Sequence, residues 1–229
     1  MDLNEYMSVR RAYNLVRQDQ PSSVRLTFEE YAILCHLANI DGELKTSQIA
    51  DYQGVLRPTT THRTNHLSSL SLIDRHEGLE DRRNVCCSVS EKGRAEVARL
   101  SKALVSKIDP GQPLHRSTPE RICMVVDAMG EVFCTAGDLV LLGLSRDPDA
   151  GKSISELVEM LGLLQPTVSM SVAALVEDKL ISRGVNDGST RMVRMGLTPA
   201  GNEAAEAMRG RIEGLLVHRR SRSAVSAAR

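Results

Sequence analysis

The chain repeats itself. A shift of 108 positions carries Pro58-Thr59 onto Pro166-Thr167 and holds Thr27 to Gly93 in register with Thr135 to Gly201 without a gap. Further identities fall at Leu34/Leu142, Ser47/Ser155, Gly54/Gly162, Leu67/Leu175, Leu72/Leu180, Ile73/Ile181, Arg75/Arg183, Arg83/Arg191 and Val85/Val193. What coincides is punctuation and core: a capping threonine, turn glycines, a proline at a helix start and aliphatics spaced for burial. Unrelated amphipathic helices would drift out of phase over such a length, so two copies of one supersecondary unit is the natural reading. Any fold for this chain has to be built on that unit twice.

In the first copy, Thr46 to Gly93 reads as a short helix, a turn at Gly54 and a second helix opened by Pro58. Proline is tolerated at a helix start because its missing N–H has no partner there. A β-hairpin follows, with Glu80-Asp81-Arg82-Arg83-Asn84 at its tip. On the second helix Thr60, Thr64 and Leu67 share one face at i, i+4, i+7 spacing, which predicts that this face turns inward. The opposite face carries Thr59, His62, Asn65, His66 and Ser69, with Arg57, Thr61 and Arg63 beside it. It is short, polar and free of carboxylates, which suits the base edges and phosphates of a major groove.

A helix-turn-helix, then a hairpin with Asp81-x-Arg83, then a strand closing on Val89-Ser90-Glu91-Lys92-Gly93 resembles the winged helix of the MarR family of bacterial regulators. That family closes its wing on Leu-Thr-x-x-Gly, where this copy has Val89-Ser90. The resemblance implies that the helix from Pro58 to Ser69 enters the major groove and that Arg83, flanked by Asp81 and Arg82, reaches the adjacent minor groove. It implies a fold that is mainly α with small β-hairpin wings. Because it covers nearly the whole chain, it also implies a pseudo-dimer of two MarR-like halves in one polypeptide, as in two-repeat members of the family.

The second copy is not equivalent. Its outward helix face becomes Thr167, Met170, Ala173, Ala174 and Glu177, with less hydrogen-bonding capacity and one added carboxylate. Ser189 stands where the first copy has Asp81, whereas Arg191 persists, and Leu197-Thr198-Pro199-Ala200-Gly201 is nearer the family pattern. This copy is expected to read few bases and to hold backbone through Thr167, Ser169, Arg183, Arg191 and Arg194.

Around the copies, residues 1–20 show an apolar stripe of Leu3, Tyr6, Met7, Val9, Tyr13 and Val16, broken by Pro21-Ser22-Ser23. Thr27-x-x-Glu30 is a capping box, repeated as Thr135-x-x-Asp138. Helices are predicted over 91–108, 119–132 and 199–217. Asp109-Pro110-Gly111-Gln112-Pro113 is the clearest break. The expected division is an N-terminal half at 1–109, a linker at 110–115, a C-terminal half at 116–217 and a basic tail without apolar periodicity at 218–229.

Composition narrows the class further. With aromatics at 3% and no Trp, a single-strand binder built on stacking platforms is disfavoured. Zero net charge argues against DNA binding, whose affinity phosphate neutralisation dominates, but a total hides local patches, so the distribution of charge is given more weight than the sum. No apolar run has the length of a membrane span and no signal-peptide core opens the chain, so a cytoplasmic protein is expected. The five cysteines show no C-x-x-C spacing and are read as reduced thiols, with a redox role for Cys35, Cys123 or Cys134 as the alternative.

His62 and His66 have a zinc-compatible i, i+4 spacing but lack a third ligand at a motif spacing, so no metal is assigned. Gly151-Lys152-Ser153 lacks the remainder of a P-loop, and neither a nucleophile elbow nor a dinucleotide fingerprint is present. No enzyme and no cofactor are expected. The family resemblance implies a small aromatic or anionic effector held near Tyr13, Tyr31 and Met129, which are otherwise plain core residues.

Two functions remain. One is a sequence-specific double-stranded DNA-binding regulator, a repressor rather than an activator, acting on a pseudo-palindromic operator with or without further homodimerisation. The other is a tandem winged-helix protein-interaction module of the chromosome-segregation accessory type, which zero net charge and the apolar second face favour.

Overall fold

A computed structural model describes residues 1–40, 42–78, 85–148, 150–185 and 193–217. In chain order the elements are α1 (Leu3–Gln18), α2 (Phe28–Asn39), β1 (Leu44–Lys45), α3 (Thr46–Gln53), α4 (Arg57–Ser69), β2 (Ile73–Glu77), β3 (Val85–Val89) and α5 (Glu91–Lys107). There follow α6 (Pro119–Met129), α7 (Ala136–Ser145), α8 (Ile154–Leu161), α9 (Gln165–Glu177), β4 (Ile181–Val185), β5 (Val193–Leu197) and α10 (Pro199–Glu213). The fold is mainly helical with two small antiparallel sheets. Among the described residues, no single helix is long and apolar enough to cross a membrane.

The 108-residue register holds in the backbone. Helices α3 and α4 recur as α8 and α9, and strands β2 and β3 as β4 and β5, each with the same bounds after the shift. Left-handed residues recur too: Gly54 (φ 60°) and Gly162 (φ 61°) in the helix-helix turn, Ser71 (φ 58°) and Lys179 (φ 59°) after the second helix. A Cβ on Gly93 would overlap the carbonyl oxygen of Leu72, and one on Gly201 that of Leu180. Those carbonyls also accept the N–H of Ser90 and Thr198, both at 3.1 Å, so the strand leaving the wing lies against the end of the preceding helix with room for glycine alone. The prolines sit at the second helical position, one residue later than the sequence suggests, where the N–H is still unpaired.

Two compact units emerge, and they are not consecutive stretches. One holds residues 26–102 and 117–131 and contains the first copy; the other holds residues 1–25, 103–116 and 132–215 and contains the second. The segment 110–115, read as a boundary between halves, lies within the second of these.

In the first-copy unit, α2 is capped by Thr27 with Glu30 and packs along α6. Tyr31, Leu34 and Leu37 are buried there with Ile122, Val126 and Met129. Asp127 fastens the contact: its carboxylate takes His36 Nδ1 at 2.8 Å and Asn39 Nδ2 at 2.7 Å, and its carbonyl accepts the Tyr52 hydroxyl at 2.5 Å. The His36 and Tyr52 rings stack 3.8 Å apart. Burial and the Asp127 charge push the Tyr52 phenol well above its ordinary range, so it stays a donor. The sheet runs β1-β3-β2, with Leu44 and Lys45 opposite Cys87 and Cys86 on one side of β3 and Arg75 and His76 opposite the same pair on the other.

In the second-copy unit, α1 opens with an Asp2–Glu5 capping box and buries Leu3, Tyr6, Met7, Val9, Tyr13 and Val16. It packs on α8 and α10, while α7 packs on α9 and α10. Asn14 and Gln18 donate to the carbonyls of Leu161 and Gly162 at 2.9 and 2.6 Å, tying α1 to the turn between α8 and α9. A Cβ on Gly162 would stand 2.8 Å from the Arg11 carbonyl oxygen, a second reason for glycine beyond its φ.

Candidate nucleic-acid interface

Helix α4 buries Thr60, Thr64 and Leu67 completely, as its periodicity requires. Its other side exposes Arg57, Pro58, Thr59, Thr61, His62, Asn65 and Ser69. Two predicted contact residues are half-buried and tied to partners within the protein. His66 Nδ1 sits 2.7 Å from Glu30 Oε1, and that carboxylate is nearly inaccessible because its other oxygen closes the cap of α2. Arg63 donates to Gln53 Oε1 at 2.7 Å, and Gln53 in turn donates to the carbonyl of Glu29. Periodicity placed both on the polar side; partners on α2 and α3 decide where they point.

Of the exposed residues on α4, Arg57 and Thr61 border a hollow of about 200 Å³ that is also lined by Lys45, Thr46, Ser47, Arg75 and Val85. Its lining includes three cationic and three hydroxyl-bearing residues, and no carboxylate among the described residues. It opens at the first turns of α3 and α4, where the helix dipoles favour an anion. Arg75 also donates to Asn65 Oδ1, which links the base of the wing to the outward face of α4. Lys45, Thr46, Ser47 and Arg75 were not singled out in the sequence for this role. Arg75, alone of them a repeated cation, carried a signal in its match to Arg183. The tip residues Asp81, Arg82 and Arg83 lie outside the described residues.

The equivalent surface of the second copy is different in kind. The hollow's residues become Ser153, Ile154, Ser155, Gln165, Ser169, Arg183 and Val193, leaving one cation of three. On α9, Val168, Val172 and Leu175 are buried, Thr167 and Ser169 are half-buried, and Met170 is 75% exposed beside Ala173, Ala174 and Glu177. Arg183 is exposed. Arg194 is occupied locally, donating to the carbonyls of Ala150 and Gly151 at 3.0 and 2.9 Å and reaching Glu156 at 3.3 Å. Arg191 lies outside the described residues.

Of the residues proposed to line an effector site, Tyr31 and Met129 are buried in the first-copy unit and Tyr13 in the other. The Tyr31 hydroxyl is 2.7 Å from Ser101 Oγ. Ser101 belongs to the wall of a cavity of about 370 Å³ between α2, α5 and α6, lined by Ala38, Asn39, Arg94, Val97, Ala98, Ser101, Pro119, Glu120, Cys123 and Met124. Among the candidate redox thiols, Cys35 is pushed well above its ordinary range by burial and by Cys123 beside it, which favours the unreactive thiol form.

These elements make a winged helix. No family model matches the chain, and no curated protein does. Among solved structures it is similar to a mutant of MepR from S. aureus, with 27% identity over 35% of this chain and 59% of that one and a TM-score of 0.33. It is similar to YusO from Bacillus subtilis, with 22% identity over 42% and 66% of the two chains and a TM-score of 0.38. It is also similar to BpsR of Bordetella bronchiseptica, with 21% identity over 48% and 84% and a TM-score of 0.37. The chain spans 59% of the length of the MepR structure it matches.

Proposed function

We propose that the protein is a sequence-specific double-stranded DNA-binding transcriptional regulator of the MarR type. In this reading the repeats at 1–109 and 116–217 form a pseudo-dimer within one chain. The observation that carries the reading is the hollow of Lys45, Arg57 and Arg75 beside the carboxylate-free face of α4. Phosphates seated there would set the register, and His62, Asn65, Thr59 and Ser69 would meet base edges. Arg83, with Asp81 and Arg82, takes the minor-groove role that the family resemblance gives it. The second copy contributes Thr167, Ser169, Arg183 and Arg191 to backbone and few base contacts, so the operator is an imperfect palindrome with half-sites one helical turn apart. Occupancy of a promoter suffices for repression, which makes repressor the simpler sign. A mutant of MepR has been solved bound to an oligodeoxyribonucleotide, and MepR has been solved with ethidium bromide. For this chain a small aromatic or anionic effector fits the cavity bounded by Arg94 and Ser101, which would make binding ligand-sensitive.

A gel shift across a salt series, using DNA upstream of the protein's own coding sequence and fragments selected from a random pool, tests the reading. Tight binding that resists competitor and weakens steeply with salt is the expected result. A pool that yields no enriched fragment at low salt would overturn it. The exposed Met170 and Val193 of the second copy favour the other function, a tandem winged-helix module that grips protein.

A further inference from the structure

At the base of the first wing, Glu43, His76 and Cys86 bring a carboxylate oxygen, an imidazole nitrogen and a thiol sulfur within 4.8 Å of one another. The sheet register explains the convergence. His76 on β2 is directly opposite Cys86 on β3, and such pairs carry their side chains on one face. Lys45 on β1 is opposite Cys86 from the other side, and Glu43, just before that strand, brings its carboxylate to the same cluster. Cys87, one residue on, points to the opposite face and shares none of this.

We propose that Glu43, His76 and Cys86 form a binding site for a borderline-soft divalent cation of the zinc type, with a fourth coordination position open to solvent. Thiolate, imidazole and carboxylate is the donor mixture that zinc accepts, and three protein ligands leave one position for water. The His76 Nε2 and Glu43 Oε2 atoms are 2.7 Å apart. Tetrahedral donors stand about 3.3–3.8 Å apart at zinc bond lengths, so this pair has to separate slightly to admit an ion. Both side chains are about half exposed and free to do so, whereas Cys86 is buried and fixed by the strand. Burial and the Glu43 carboxylate push the Cys86 thiol up, so without an ion it is protonated. Binding forms the metal–sulfur bond and releases that proton to solvent.

The second copy supplies an internal contrast. Its equivalents of Glu43, His76 and Cys86 are Gly151, Gly184 and Arg194. There the arginine fills the place itself, bonded to the carbonyls of Ala150 and Gly151. One fold thus carries a ligand set in one copy and a fixed cation in the other, as expected if the position calls for positive charge. The site stands without the DNA reading, since its test contains no DNA.

The test is titration of the full chain, kept reduced, with Co²⁺ as a spectroscopic stand-in for Zn²⁺. The expected result is thiolate-to-cobalt charge-transfer absorption that saturates at one ion per chain and is erased by Zn²⁺. Cys86→Ser abolishes the absorption and Cys87→Ala retains it. Glu43→Gln and His76→Gln each weaken binding by roughly tenfold or more. Zn²⁺ raises the Tm of the wild type and leaves that of Cys86→Ser unchanged. Folding of each variant is checked by circular dichroism without metal. Absence of charge-transfer absorption in the wild type, or its survival in folded Cys86→Ser, overturns the proposal.

Discussion

The two copies share a backbone and diverge in chemistry. The first places Lys45, Arg57 and Arg75 around a hollow and turns His62 and Asn65 outward on α4. The second keeps Arg183, replaces the other cations by Ser153 and Gln165, and turns Met170 outward. Interior positions differ as well: the buried pair Thr60 and Thr64 becomes Val168 and Val172. The lesson is that turn glycines, caps and close backbone contacts are what the fold needs, and the same scaffold leaves each outer face free to take a separate role.

The largest expected effect tests the charge difference. Replacing Lys45 and Arg57, both exposed, by Ala together should lower DNA affinity by roughly tenfold to a hundredfold and reduce the salt slope by about two. The converse pair Ser153→Lys and Gln165→Arg should strengthen binding and steepen the slope. If Arg183→Ala weakens binding as much as the double variant, the copies are equal partners and the asymmetry is wrong; gel shifts across a salt series decide it.

Base reading comes next. Asn65→Ala or His62→Ala should relax preference at one half-site by about 1–3 kcal/mol, while Met170→Ala should change neither affinity nor preference. Sequence selection with each variant would reveal the reverse.

His66 sharpens the comparison from inside. His66→Ala leaves Glu30 Oε1 buried without its partner, which should destabilise the first-copy unit by about 1–3 kcal/mol. The equivalent Ala174 has no such bond to lose. Urea denaturation should show the loss, and unchanged stability would return His66 to the groove-facing set.

The buried threonine is a smaller reciprocal test. Thr60 Oγ1 makes no hydrogen bond among the described residues, so Thr60→Val should stabilise by about 1 kcal/mol and Val168→Thr should destabilise by a similar amount. Thermal melts of the two variants should move in opposite directions.

The smallest effect concerns acid. The cap of α8 uses Glu156, held below the usual carboxylate range by the Ser153 backbone N–H and hydroxyl. The equivalent Gln48 accepts from Lys45 N at 2.8 Å and does not titrate. A depressed folded pKa gives stability that is present above the unfolded value, about 4.3, and is lost as pH falls through the folded one. Side-chain exposure limits the contribution to a few tenths of a kcal/mol. Glu156→Gln should remove this acid dependence, measured as the change in melting temperature below about pH 4.

Much of the fold was legible because its signals are local. Thr27-x-x-Glu30, Gly54, the helix-opening prolines and the i, i+4, i+7 spacing of Thr60, Thr64 and Leu67 each act within a few residues, and a repeat showed them twice. What stayed hidden needed partners from elsewhere. Periodicity gave α1 an apolar stripe without saying that α8 and α10 would cover it. It put His66 on a polar face without the Glu30 that it is bonded to. The hollow and the Glu43–His76–Cys86 cluster join residues from separate strands and helix starts, and a search for ligands at helical spacing passes over both.

The interleaving of the units sets an order of assembly during synthesis. Residues 26–131 bring together most of what the first-copy unit packs, whereas α1 emerges before them and closes on α8 and α10, which emerge after them. At about 5–20 residues per second, its apolar stripe waits roughly 10–40 s after leaving the ribosome for the surface that covers it. Nascent chains stalled before α8 should therefore carry a folded first-copy unit beside an N-terminal helix open to chaperones and to proteolysis.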